Sequence, residues 1–190
     1  MEKKKTARHK KLKEYLRENT FLTDEQLADK LGVSVQTIRL DRLLLNIPEL
    51  RERIKSMAET AGTKLKAIAS RDIVGELIDL ELGVSAVSVL TVTSDMISRG
   101  MGIARSNFMF AQANSLALAL VNAPAALTGV ANVKYKKPVF AGERLTAKAK
   151  VSRIRGNKHF ITVNVRNTES EVFRGKFIIV ALESEGSESK

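Results

Sequence analysis

The sequence predicts an α+β chain in three parts: a small all-α head, an amphipathic linker helix, and an antiparallel sheet wrapped around one central helix. Three observations predict it. From about Thr6 to Ala61, apolar residues recur at helical spacing and capping residues punctuate them. From Ile73 onward, branched residues gather in short, partly alternating runs divided by turn residues. Between the second and third of these runs lies one long Ala/Leu-rich stretch, Ile103 to Val121. A chain of 190 residues has room for a small domain joined to one of about 110–130 residues. The boundaries read as 1–46 for the head, 47–69 for the linker helix, 70–184 for the sheet domain, and 185–190 as a disordered tail.

The first helix is expected from Thr6 to Glu18, with Leu12, Tyr15 and Leu16 on one face and Lys/Arg on the other. Thr23-Asp-Glu-Gln26 has the form of a capping box, so a second helix starts there, carrying Leu27, Ala28 and Leu31 inward. Gly32 ends it, because glycine accepts the left-handed conformation of a helix C-cap. Ser34 can cap a third helix starting near Val35. Ala28 allows a close crossing, Gly32 makes the turn, and Ile38 anchors the next helix. That is the logic of a helix-turn-helix, winged or simple. The outward face of the third helix would show Gln36, Thr37, Arg39 and Arg42, types that read base edges or hold phosphates. The competing reading is an ordinary helical hairpin. The stretch VSVQTIRLDRLLL resembles the recognition helix of DeoR-type bacterial repressors.

Pro48 suits a first helical turn, and Leu50, Ile54, Met57, Ala58 and Ala61 then repeat at helical spacing up to Gly62. Such a helix is either a switch element or a plain connector. Arg51 and Arg53 on it are candidate backbone contacts to DNA.

Strand-like segments are expected at 73–82, 86–93, 127–137, 144–156, 159–168 and 171–181. Two strands, one apolar helix, then four strands is the order of the hot-dog fold. That resemblance implies binding of acyl-thioesters and raises the alternative of an acyl-CoA thioesterase. Hot-dog thioesterases usually carry an Asp or Glu on the central helix. In Phe110-Ala-Gln-Ala-Asn114-Ser-Leu-Ala its place is taken by Asn114. An amide takes no proton from water at neutral pH, and residues 96–142 hold no Asp or Glu at all. The domain is therefore expected to bind without turnover: no enzyme, no catalytic residues, no cofactor. Arg105 stands at the start of the helix, where a carboxylate would be held by paired hydrogen bonds and the helix dipole. Alternatively it is a solvated surface cap.

Composition narrows the partners. Lys plus Arg number 32 against 21 Asp plus Glu, a net charge of +11, which suggests a polyanion. Residues 1–17 carry eight of the basic residues, and 134–158 carry nine. The second cluster either meets coenzyme A phosphates or is a solvated sheet face. Cysteine is absent and the two histidines, His9 and His159, lie far apart, which excludes thiol chemistry and a His-rich metal site. The N-terminus lacks the apolar core of a signal peptide, and 103–121 is too interrupted by polar residues to span a membrane. A soluble, cytoplasmic protein with no membrane partner is the expectation.

Both halves together resemble the FapR family of bacterial repressors of fatty acid and phospholipid synthesis. The resemblance rests on FLTDEQLADKLGVSVQTIRLDRLLLNIPELRERIK at 21–55, GIAR at 102–105 and FAQANSLALAL at 110–120. It implies a homodimer on a palindromic double-stranded operator, released by malonyl-CoA. It also implies that Arg105 neutralises the malonyl carboxylate, Asn114 hydrogen-bonds the ligand and Leu127 lines the tunnel. DNA contacts would come from Ser34, Gln36, Thr37, Arg39 and Arg42. Two departures stand out. Ser106 replaces the glycine usual after that arginine and narrows the pocket mouth. The loop 96–102, ending at Gly102, reads as one residue longer, with Ile97 near the family's usual Phe.

Overall fold

The computed structural model describes residues 2–183. The tail expected at 185–190 lies outside the described residues. The chain divides into two compact units, one up to Met57 and one from Ala58.

The first unit is helical. It contains α1 (Glu2–Glu18), α2 (Asp24–Leu31), α3 (Val35–Leu44) and the first half of α4 (Leu50–Gly62). The capping box forms: the Gln26 N–H donates to Thr23 Oγ1 at 3.2 Å, and the Thr23 N–H donates to Gln26 Oε1 at 3.1 Å. Gly32 takes the left-handed conformation at φ 62° and turns the chain into Ser34, whose Oγ accepts from the Thr37 N–H. Leu12, Leu16, Leu22, Leu27, Ala28 and Ile38 form the core. No strand accompanies these helices among the described residues of the unit, so the motif is the simple rather than the winged form. α1 begins four residues earlier than expected, because the Glu/Lys-rich start is made of good helix formers and lacks a stop signal.

The second unit is one six-stranded antiparallel sheet with a helix against one face. Its strands are β1 (Glu76–Glu81), β2 (Ser85–Thr91), β3 (Ala125–Tyr135), β4 (Arg144–Arg155), β5 (Lys158–Arg166) and β6 (Glu171–Leu182). The order across the sheet is β1-β2-β4-β5-β6-β3, so β1 and β3 are the edges. The helix, α5 (Ser106–Ala119), presents Ala113, Leu116 and Ala117 to the sheet core, and these small side chains allow close approach. Gln112 is fully buried, and its Nε2 donates to Ser88 and Leu145 at 3.3–3.5 Å, tying α5 to β2 and β4.

Two expectations need correction. The helix expected over 103–121 starts only at Ser106, because Ile103 and Ala104 are taken up by β-bridges to Phe140 and Ile97. The linker assigned to 47–69 is helical only over 50–62: the helix starts two residues after Pro48 and stops at Gly62, where the helical spacing predicts its end. Within the second unit, Ala61 at the end of α4 joins the sheet-domain core.

Gly175, mid-β6, is needed for space. A Cβ there would meet the ring of buried Phe177 at 2.4 Å and that of Phe173 at 3.2 Å. Gly175→Ala is expected to cost about 1–3 kcal/mol by overpacking, read as a lowered denaturation midpoint of the sheet domain.

Candidate functional site

In the head, α3 divides into two faces. Ile38, Asp41 and Arg42 are buried. Gln36, Arg39, Leu40, Leu43 and Leu44 are exposed. Ser34 and Thr37 cap the helix start, their hydroxyls 2.9 Å apart. Arg39 reaches toward Asp24 at 3.6 Å, yet its side chain stays 57% exposed. Arg51 is exposed on α4.

Arg42 and Arg53 are not where the sequence reading put them. Arg42 was expected outward, on phosphate. It is buried and donates to both carboxylate oxygens of Asp24, at 2.7 and 2.8 Å, and to the Ile47 carbonyl. Set 120° from Gln36 on the helix wheel, it faces the α2 start, where Asp24 waits. Arg53 was expected on the DNA backbone. It is buried and donates to three carbonyls, those of Thr20, Leu22 and Pro48. Burial pushes its pKa down from the usual arginine value. Both arginines stabilise the head.

Two measurements follow. Arg39→Ala should reduce the slope of log affinity against log salt by about one ion, whereas Arg42→Ala should weaken binding without changing that slope. Arg53→Lys should lower head stability by about 2 kcal/mol by thermal unfolding, because one ammonium cannot reproduce a planar fork aimed at three carbonyls.

Sequence reading missed Asp41. Its carboxylate accepts from Arg8 Nε at 2.5 Å, Arg8 Nη2 at 3.0 Å and His9 Nε2 at 2.8 Å, tying α3 to α1. The signal was available: an acid three residues after the core Ile38, with Arg8 and His9 on the preceding basic helix.

In the sheet domain, Arg105 is the N-cap residue of α5, in extended conformation. Its Nη2 donates to the Asp95 carbonyl at 2.7 Å, and its guanidinium lies over the Phe108 ring at 4.9 Å. The rest of the exposed fork is available. The acid-free stretch is thus not free of acid in space: Asp95, one residue before it, stands beside Arg105. The Asp95 carboxyl is held below its usual value, first by a Thr93 hydrogen bond and in smaller part by Arg105. The loop before α5 folds back as a short hairpin, with Ile97 bridged to Ala104 and left-handed Gly100 and Gly102 at its tip. Ile97 is half-buried and Ser106 is exposed.

Asn114 is half-buried, and its Oδ1 accepts from Thr128 Oγ1 at 2.6 Å. That bond commits the carbonyl end and leaves the NH2 as the donor. Thr128 was missed in the sequence, although it directly follows Leu127. Leu127 points to the other face of β3, away from α5, and is 60% exposed. Within one chain it does not line a site with Asn114, because neighbouring strand residues alternate faces. Arg105 and Asn114, nine positions apart, are also not on one helix stripe. A cleft of about 740 Å³ beside β1 and a smaller one of about 200 Å³ near Gly75 include neither residue.

Residues 8–54 match the DeoR-like helix-turn-helix domain, and residues 100–173 match the thioesterase superfamily. Transcription factor FapR of Caldanaerobacter subterraneus subsp. tengcongensis is 55% identical over 181 residues, covering 95% of this chain and 90% of that protein. Transcription factor FapR of Halalkalibacterium halodurans is 44% identical, covering 94% and 96%. Among solved structures, an uncharacterized protein, PH1136, from Pyrococcus horikoshii is 34% identical, with TM-score 0.56 over 60% of this chain and 87% of that one. Cj0977 of Campylobacter jejuni, at 21% identity and TM-score 0.63 over 68% and 92%, shares the hot-dog fold. A DNA-binding head on a hot-dog domain, with relatives this similar over nearly the whole length, makes the chain a regulator rather than an enzyme, and a member of the FapR family of transcription factors.

Proposed function

We propose that this transcription factor represses fatty acid and phospholipid synthesis genes in the cytoplasm, binding a palindromic operator as a homodimer and leaving it when malonyl-CoA binds. The observation that carries the ligand reading is Arg105: an exposed guanidinium at the positive end of the apolar helix α5, with most of its donors free. It would take the malonyl carboxylate, while the Asn114 NH2 donates to a carbonyl oxygen of the ligand. Gly102, Ile97 and Ser106 would form the mouth, and the basic residues of 134–158 would meet the coenzyme A phosphates.

A homodimer is supported by edge strand β3, which leaves Leu127, Val130 and Tyr135 exposed. Pairing would cover that edge. In such a dimer Leu127 could reach the partner's site rather than its own.

The response is linkage: ligand must favour the conformation that cannot grip DNA, and DNA must weaken ligand binding by the same factor. We assign the two-state element to α4. Cross-linking it to the sheet domain should abolish operator binding; unchanged binding would refute that assignment. The test of the whole reading is a mobility-shift titration on a matching operator. Malonyl-CoA should release the DNA and acetyl-CoA, which lacks the carboxylate, should not. Equal release by both would overturn the carboxylate assignment.

A further inference from the structure

The exposed face of α3 is unusual for a solvated helix. At 100° per residue its outward arc runs Arg39, Leu43, Gln36, Leu40, Leu44. Three of these five are leucines, with exposures of 53% for Leu40, 72% for Leu43 and 62% for Leu44. No acid lies on this arc, and the unit around it carries 14 Lys plus Arg against nine Asp plus Glu over residues 1–57. A leucine cluster alone could meet a protein. Flanked by Gln36 and Arg39, on a basic unit of helix-turn-helix type, it fits the major groove instead.

The major groove presents one apolar group, the C5-methyl of thymine. Recognition helices reach base edges with their N-terminal residues. Leu40 is the exposed apolar residue nearest that end, one turn beyond Gln36, since Val35 packs against the core of the head. We propose that Leu40 is a specificity-determining residue that packs on a thymine methyl, inside the base pairs that Gln36 and Arg39 contact. Specificity at that position would come from shape and desolvation, with no hydrogen bond. Leu43 and Leu44, in the last turn, would contribute less.

The test uses the full chain and a duplex selected by it from a random pool. Each thymine is replaced in turn by deoxyuridine, which removes only the methyl, and affinity is measured by fluorescence anisotropy. At one or two thymines per half-site, the wild type should lose about three- to fivefold, the factor for burying one methyl-sized group. Leu40→Ala should bind the thymine duplex several-fold more weakly and show no further loss with deoxyuridine there, a coupled cycle. Its melting temperature should match the wild type, since Leu40 is exposed. Two results would overturn the proposal: no deoxyuridine position costing the wild type more than twofold, or Leu40→Ala losing as much as the wild type at the same thymine. A change in self-association on Leu40→Ala without thymine dependence would also overturn it, assigning the face to a second copy.

Discussion

Asp41→Ala is expected to destabilise the head by about 2–3 kcal/mol, more than any single surface change in it. The carboxylate is buried and satisfies three donors from α1, on Arg8 and His9. Removing it strands two partners that can reach some water, with side-chain exposures of 23% and 18%, so the loss stays below that of a fully buried pair. Hydrogen exchange should show amides of α1 and α3 opening sooner while the β-sheet amides keep their protection. Asp41→Asn, which keeps the shape and one acceptor, should lose less. The pH dependence has a definite sign. Hydrogen bonding from Arg8, and then from His9, holds the Asp41 carboxyl below its usual value. A group with a depressed folded pKa contributes stability above its unfolded pKa, about 4, and loses it as pH falls through the folded value. The head should therefore weaken below about pH 4, and Asp41→Asn should flatten that limb.

Arg105→Ala is expected to leave operator affinity unchanged and to shift the malonyl-CoA response at least tenfold to higher concentration. A charge-assisted, bidentate bond is worth about 1.5–3 kcal/mol, and 1.4 kcal/mol is tenfold in affinity. The side chain is exposed, its hydrogen bond goes to the exposed Asp95 carbonyl and its ring contact is to the neighbouring Phe108, so folding should change little. Arg105→Lys keeps the charge without the fork and should recover part of the response. Mobility shifts with both variants, beside isothermal titration with malonyl-CoA, separate lost sensing from lost DNA binding. An undiminished response in Arg105→Ala would remove that residue from the ligand site.

Legibility followed the range of the interaction. The capping box, Gly32 and Ser34 were readable because a cap is satisfied within three or four residues, and all three stand in the structure. The positions of the strands along the chain were readable because the branched residues gather in short, partly alternating runs divided by turns, whereas their order across the sheet was not. Arg42 and Arg53 were misread because exposure is not a property of residue type. A guanidinium finds its partner wherever the fold brings one, here Asp24 from 18 positions away and Thr20 from 33. Asp41 and Asp95 show the converse, acids whose importance lies in what they meet in space. Thr128 acts through Asn114 across 14 residues, a distance that no local pattern spans. The start of α5 was misplaced because apolarity alone does not distinguish a helix from the β-bridges at Ile97 and Ile103.

The Thr128–Asn114 pair has a consequence for signalling. With the amide oxygen tied down, a thioester at this position would face a donor and no base, so it could leave only as it came. Occupancy would then follow the standing concentration of the metabolite rather than its rate of production. A site that hydrolysed its ligand would report a flux and erode the quantity it measures; under the proposed function, an amide in that place would make the domain a gauge.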